Sequence, residues 1–373
     1  MEPARAFYYR DKLLKVIEAG NPYKVAWQVT RRCNLRCKQC YADAQTEPGA
    51  AENEMTLDEG KRLMDDLASM GECSLVLTGG EPLLREEIFE ITDYAARKGL
   101  SPKIATNGTL VTKDVARRLK DAGAFQVHVS LDGPDAPSHE TIRRVAGAFE
   151  RTLEGIRHLQ QAGLPVIVGI TIMRSNYDQV IPTLRLAADL KATVFTFNDM
   201  EPCGRGACEQ QSEDITPEER EDLYQRIHAE SVRLKDRIYV DKFDPGMWHR
   251  VRLQNAHDEA QREALLSLGE AMGGCPAGRW VCLISSVGEV RPCAFFPMVV
   301  GNVREQSITT IWKDAPVLQT LRDAGNIHGA CRRCEHFTIC RGCRSRAYYY
   351  GGDYLGPDPG CVIARQIQQD AAE

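Results

Sequence analysis

The sequence predicts an α/β fold: a parallel sheet covered by helices, followed by a small cysteine-rich C-terminal region. Two observations carry this expectation. Between residues 24 and 205, strand-like runs of Val, Ile and Leu alternate with amphipathic stretches, the pattern of strands buried on both faces. The fourteen cysteines crowd into two places, three in residues 33–40 and eight in residues 275–361, with Cys73, Cys203 and Cys208 between.

The elements follow in order. "VAWQVT" (25–30) reads as the first buried strand. "TLDEGKRLMDDLASM" (56–70) is an amphipathic helix, and Thr56 with Glu59 makes a capping-box pattern at its start. "SLVLTGG" (74–80), "PKIATNG" (102–108), "FQVHVSLDG" (125–133), "PVIVGITIM" (165–173) and "ATVFTFNDM" (192–200) are the next five strands. Helices are expected over about 85–98, 112–122, 148–162 and 177–190. Six such units are too few for a closed eight-stranded barrel, and a partial barrel or a doubly wound sheet both fit. Residues 1–23 form an amphipathic, charged extension before the 24–205 core. Residues 206–270 are charged and helical, without strong strand signals, and read as a bridge. From 271 to 373 come short strands and dense cysteines, with "VCLISSVGEVRPC" (281–293) as a hairpin turning at Gly288. So thin an apolar core needs bound metal for much of its stability.

The charge balance is −5, which argues against a nucleic-acid partner. No run of eighteen apolar residues and no export signal is evident, so no membrane span is expected and the cytoplasm is the expected compartment. Reduced cysteines in such numbers point to metal or redox chemistry rather than disulfides.

Cys33, Cys37 and Cys40 stand as C-x3-C-x2-C just after the first strand. Three thiolates ligate three irons of a cubane and leave the fourth iron open, and an open position marks a catalytic metal site. "CNLRCKQCY" resembles the signature of radical S-adenosylmethionine (SAM) enzymes. The resemblance implies a partial (β/α)6 TIM-like barrel whose open iron is chelated by SAM. It implies reductive cleavage of SAM to a 5′-deoxyadenosyl radical that takes hydrogen from a substrate. Cys33, Cys37 and Cys40 are then the catalytic ligands, and Tyr41 lies near the adenine. "TGGEP" (78–82) matches the family's glycine-rich SAM loop, with Gly79, Gly80 and Glu81 at the methionyl ammonium. By the same resemblance Asn107, Ser130, Asp132, Thr171 and Arg174 face SAM or substrate, at strand ends where such sheets bind ligands. Arg143, in "HETIRR", takes a helix-capping role.

The tail resembles the SPASM extension of that family. Cys275, Gly288 and Cys293 match its opening, and Cys331, Cys334, Cys340, Cys343 and Cys361 follow. The family's middle run ends C-x3-C, whereas here it ends C-x2-C. The resemblance implies one or two auxiliary 4Fe–4S clusters: Cys275, Cys282, Cys293 and Cys343 hold the nearer, and Cys331, Cys334, Cys340 and Cys361 the distal. From spacing alone, zinc ribbons suit these cysteines equally well. Cys73 reads as a core residue, and Cys203 and Cys208 as plain loop residues, with a substrate-contacting thiol or a redox pair as alternatives.

"VRPCAFFPMVVGNVRE" and "CRGCRSRAYYYGGDY" resemble SPASM proteins of alternative haem and haem d1 synthesis. This implies side-chain decarboxylation or removal on a haem-type tetrapyrrole, with Arg174, Arg205 or Arg279 pairing with its carboxylates. "GPDPGC" (356–361) resembles mycofactocin maturases and keeps modification of a ribosomally made peptide as the alternative. The stretch before the first strand leaves no room for a peptide-binding domain. Modification of a small metabolite and a non-enzymatic iron–sulfur redox sensor complete the alternatives. A ferredoxin- or flavodoxin-type electron donor is the implied partner.

Overall fold

The computed structural model describes residues 13–371 apart from 48, 50, 51, 243 and 244. Most of the N-terminal extension therefore lies outside the described residues. Six parallel strands form the centre: β1 (Lys24–Thr30), β2 (Ser74–Gly79), β3 (Lys103–Thr106), β4 (Gln126–Ser130), β5 (Val166–Ile172) and β6 (Val194–Asp199). They stand side by side in sequence order, each joined to the next through at least one helix. Alternate residues such as Val25, Trp27, Leu75, Leu77, Val127, Val129, Phe195 and Phe197 are buried with the covering helices in one core. The other face carries His128, Ser130, Thr171, Thr196 and Asn198, only partly buried. The period of two thus separates an apolar outer layer from a polar lumen. The Thr56–Glu59 capping box forms as expected, with the helix running Leu57–Ser69.

Two findings depart from the sequence reading. The 206–270 stretch contributes a strand, β7 (Tyr239–Lys242), parallel to β6 in the register Val194↔Tyr239 to Phe197↔Lys242. "YVDK" is short and carries an Asp and a Lys, so it gives no apolar run, yet Val240 packs in the core. The C-terminal region also joins the sheet. β8 (Val281–Ile284) pairs parallel to β1, and β9 (Glu289–Arg291) and β10 (Gly301–Asn302) continue antiparallel, giving the order β10-β9-β8-β1-β2-β3-β4-β5-β6-β7. The hairpin turns at Gly288, whose φ is +89°. The fold is a partial TIM-like barrel with a small cysteine-rich C-terminal domain on its edge. Among the described residues no helix is long and apolar enough to cross a membrane.

A buried charge network ties the C-terminal domain to the barrel. Asp199, at the end of β6, meets Arg220 at 3.1 Å, Lys242 at 3.4 Å and Arg346 at 3.0 Å, and accepts from the Tyr224 hydroxyl at 2.6 Å. Arg346 also reaches Glu201 at 2.8 Å and Asp358 at 3.3 Å. Burial alone would raise the Asp199 carboxyl, but Lys242, Arg220 and Arg346 outweigh it and hold the group well below the usual carboxylate range.

Candidate active site

The three-cysteine loop leaves β1 at the carboxyl end of the sheet. Gly80 N donates to Thr30 O at 2.8 Å and Glu81 N to Arg32 O at 2.7 Å, so the loop after β2 lies on the chain entering the cysteines. A Cβ on Gly79 would come within 2.3 Å of Thr30 O, and one on Gly80 within 2.1 Å of Arg32 O. Gly79 also has φ +147°. Only glycine allows both the conformation and the approach.

All three sulfurs are free thiols supplied with donors. Leu35 N points at Cys33 Sγ at 3.4 Å and Ala44 N at Cys40 Sγ at 3.3 Å. Arg143 Nη1 points at Cys37 Sγ at 3.5 Å, while its Nη2 pairs with buried Asp132 at 2.7 Å. Burial pushes the Cys33 thiol up to about 12; at Cys37 burial also dominates, with Arg143 opposing it. A donor set aimed at sulfur suits iron-bound thiolates, whose charge it offsets. The residues therefore fit a cluster held by Cys33, Cys37 and Cys40.

Arg143 has a different place from the helix-capping role expected of it. Its side chain does not cap a helix; it is buried against Cys37 and Asp132. Capping runs the other way: Lys38 N donates to Ile142 O at 3.0 Å and Arg36 N to Arg143 O at 3.4 Å, so the cysteine loop caps the Ala136–Arg143 helix. The signal lay in "HETIRR", where an Arg follows an apolar position near a helix end.

The other expected residues fall around this loop. The Tyr41 hydroxyl lies 3.3 Å from Thr78 Oγ1, and its ring meets Phe295 edge-on at 5.9 Å. Glu81 is fully buried and accepts from Thr106 Oγ1 at 2.7 Å, Asn107 N at 2.8 Å and Leu83 N at 3.2 Å. Asn107 Nδ2 donates to Asn34 Oδ1 at 2.8 Å, binding the end of β3 to the cysteine loop. Asp132 accepts from Gln39 Nε2 at 2.5 Å and from Thr171 N at 3.0 Å, so β4, β5 and the loop meet there. Ser130 ends β4, half-buried on the lumen face. Arg174 turns outward to a bidentate pair with Glu219, and the Asp214 carbonyl accepts from it at 3.2 Å.

The basic residues expected to meet carboxylates are occupied. Arg205 donates to Cys37 O and Ala44 O, each at 3.0 Å. Arg279 donates to Met272 O at 2.7 Å and Gly273 O at 2.6 Å. Arg291 differs. Its Nε is buried without a hydrogen-bond partner, and its charge acts on Cys203 and Tyr349, although its terminus meets Glu289 at 3.0 Å.

In the C-terminal domain Cys275 N donates to Cys340 O at 3.1 Å, and Ser345 Oγ to Phe295 O at 2.7 Å. Cys275 and Cys293 share one apolar cluster with Val281 and Phe296. Cys343 N donates to Asp358 Oδ2 at 2.8 Å, and Asp358 N points at Cys331 Sγ at 3.2 Å. Arg250 acts by its charge on Cys334, Cys340 and Cys361. Cys282 stands apart from these cysteines. From β8 it pairs with Val25 of β1 and packs in the main core, one residue from Val281, which shares an apolar cluster with Cys275 and Cys293. The period of two puts its thiol on the opposite side of the strand, where Cys73 is its charge neighbour.

An α/β barrel with an open three-thiolate loop at its carboxyl end, and further cysteines beside β8, defines an iron–sulfur enzyme using SAM. Residues 27–187 match the radical SAM superfamily and residues 275–344 an iron–sulfur cluster-binding domain, SPASM. The chain is 37% identical to the AdoMet-dependent heme synthase of Methanosarcina barkeri over 91% of this chain and 96% of that one. It is 30% identical to the mycofactocin maturase MftC of Mycolicibacterium smegmatis, over 94% and 86% respectively. Among solved structures, SuiB of Streptococcus suis bound to S-adenosylmethionine has a similar fold, with a TM-score of 0.70 at 16% identity over 93% of this chain and 78% of that one. The chain belongs to the radical SAM superfamily and carries its SPASM domain. Its cofactors are SAM, a radical SAM 4Fe–4S cluster and one or two auxiliary 4Fe–4S clusters.

Proposed function

We propose that the protein removes carboxyl groups from propionate side chains of an iron porphyrin. The observation that carries this reading is the likeness to an AdoMet-dependent heme synthase across nearly the whole of both chains. The bound groups supply one-electron chemistry: reductive cleavage of SAM, and a sink for the electron left when carbon dioxide departs. The chain's own residues do the rest. Gly79, Gly80 and Asn107 line the ends of β2 and β3 beside the cysteine loop, where the methionyl part of SAM docks, with Tyr41 at the adenine. Asp132, held by Gln39, Thr171 and Arg143, keeps β4 and β5 against that loop. Arg291 and Tyr349, beside Cys203, are the polar groups that meet a substrate carboxylate. A charged guanidinium suits that task, since its hydrogen bonds to carboxylates are charge-assisted.

The peptide reading rests on the second likeness, to a mycofactocin maturase. One experiment separates the two. Oxygen-free, iron-loaded protein is given SAM, dithionite and iron coproporphyrin, and products are weighed by mass spectrometry. Loss of carbon dioxide and two hydrogens for each propionic acid group, with 5′-deoxyadenosine formed in step, is the expected result. SAM cleavage that porphyrin neither stimulates nor records in its own mass would overturn the tetrapyrrole reading. A ferredoxin- or flavodoxin-type protein is the proposed electron donor in place of dithionite.

A further inference from the structure

The loop after β6, residues 201–205, stands between the two groups of cysteines. One side is clamped to the first group. Arg205 N donates to Cys40 O at 2.9 Å, and its Nε donates to Cys37 O. Gly204, at φ +54°, lies so close that a Cβ would come within 2.5 Å of both the Cys40 and Tyr41 carbonyl oxygens. The other side of the loop touches the second group: Glu201 Oε1 lies 3.9 Å from Cys343 Sγ and accepts from Arg346 at 2.8 Å.

Cys203 sits in the middle of this loop, 6% exposed. Its charge neighbours include both Cys40 and Cys293, and Tyr349 neighbours both Cys203 and Cys293. A second feature lies in the same loop. Glu201 Oε2, on a side chain more than nine-tenths buried, has no hydrogen-bond partner. Buried polar atoms are nearly always satisfied, so an orphaned carboxylate oxygen marks a place built around an occupant.

A four-iron cluster closed by protein needs four thiolates. The family resemblance assigns Cys275, Cys282, Cys293 and Cys343 to the nearer cluster, and with Cys282 turned to the far face of β8 three of them remain. We propose that Cys203 supplies the fourth thiolate to the cluster held by these three, and that Cys282 is a core residue. The Cys203 Sγ–iron bond forms as the thiol proton passes to water, and no electron changes hands. The barrel then provides a ligand to the C-terminal domain's cluster from the same loop that clamps Cys40. This assignment rests on the family reading, which places an iron–sulfur cluster there.

The test uses the full chain with Cys33, Cys37 and Cys40 replaced by Ala, which silences the first cluster. The protein is loaded with iron and sulfide without oxygen, reduced, and followed by iron count, electron paramagnetic resonance and Mössbauer spectroscopy. About eight irons are expected in this parent, four per cubane. Potassium cyanide should leave its spectra unmoved, because no iron is open. In the same background Cys203→Ser should shift the signal of one cluster and make it respond to cyanide, while the other signal persists as evidence of folding. Cys282→Ser should change nothing. The assignment is overturned by a cyanide response in the parent, which needs no substitution at Cys203. It is equally overturned by Cys203→Ser spectra superimposable on the parent's, by loss of a cluster in Cys282→Ser, or by a shift in Glu201→Gln that Cys203→Ser lacks. A parent with no cubane signal at all defeats the family reading instead.

Discussion

Replacing Arg143 with Met tests whether the arginine behind the first cysteine loop does what its geometry implies. The guanidinium is 2.7 Å from Asp132 Oδ2, with side chains 9% and 0% exposed. Removing one partner of a buried pair costs about 3–5 kcal/mol, because a charge is left without compensation. The low end, about 3 kcal/mol, is expected here, since Gln39 Nε2 and Thr171 N still donate to Asp132. The molecule contains its own control. Arg97 and Asp93 are 2.8 Å apart, but their side chains are 64% and 47% exposed. Arg97→Met should therefore cost only about 0.5 kcal/mol. Urea unfolding of iron-free protein under argon measures both, and Asp132→Asn added to Arg143→Met should recover part of the loss. The iron-loaded Arg143→Met protein should also show a shifted resonance from the first cluster, because Cys37 Sγ loses its guanidinium donor. A difference between the two arginine variants of less than about 1 kcal/mol would refute the argument, since burial is the main difference between the two ion pairs.

Replacing Cys33, Cys37 or Cys40 with Ala should abolish SAM cleavage yet leave about eight of about twelve irons, as three cubanes hold four each; normal turnover in any of the three contradicts the assignment. Glu81 gives a pH signature. Burial pushes its carboxyl from 4.5 up to about 7. The folded protein keeps a proton that the unfolded chain releases, so stability is highest below the unfolded value and falls as pH rises through the folded one. The loss is about 3 kcal/mol, because each tenfold change in proton affinity is worth about 1.4 kcal/mol. Glu81→Gln should flatten the iron-free protein's stability profile across that window, and an unchanged slope counts against it. Arg346→Met should lower the thermal midpoint at least as much as Arg143→Met, because three buried carboxylates lose one partner. It should also loosen auxiliary iron, and full iron retention would separate the network from the clusters.

The parallel core was legible because its strands carry runs of Val, Ile and Leu and its helices carry amphipathic and capping signals, although the lumen face of the strands is polar and only partly buried; all six strands stand where apolar runs ended in turn residues. β7 was not legible. Four residues containing Asp241 and Lys242 give no apolar run, and the strand is fixed by the free edge of β6, a tertiary fact. The joining of β8 to β1 was hidden for the same reason. The three-thiolate loop could be read from spacing because its ligands are local. The partners of Cys275 and Cys293 could not, because which face of β8 a cysteine occupies depends on register, and one residue's slip reverses it. The role of Arg143 was not legible because Cys37 is distant in sequence and reaches it only when the loop folds back on the helix end.

The network around Asp199 shows what fixes the two halves of the molecule against each other. Three cations, Arg220, Lys242 and Arg346, face three acids, Asp199, Glu201 and Asp358. Apolar residues of similar volume at such positions are frequently as stabilising or more so, so stability alone does not account for the arrangement. Its geometry does. Arg220 comes from the helix between β6 and β7, Lys242 from β7 and Arg346 from the C-terminal domain, and all reach one carboxylate at the end of β6. Arg346 then reaches Asp358, which holds Cys343 through its backbone N–H and donates its own to Cys331. Sliding the C-terminal domain along β6 would strand several charges in a dry interior at once, whereas an apolar contact would yield gradually. We read the network as a register pin: it sets the distance between the two groups of cysteines, and it does so with side chains that tolerate one arrangement.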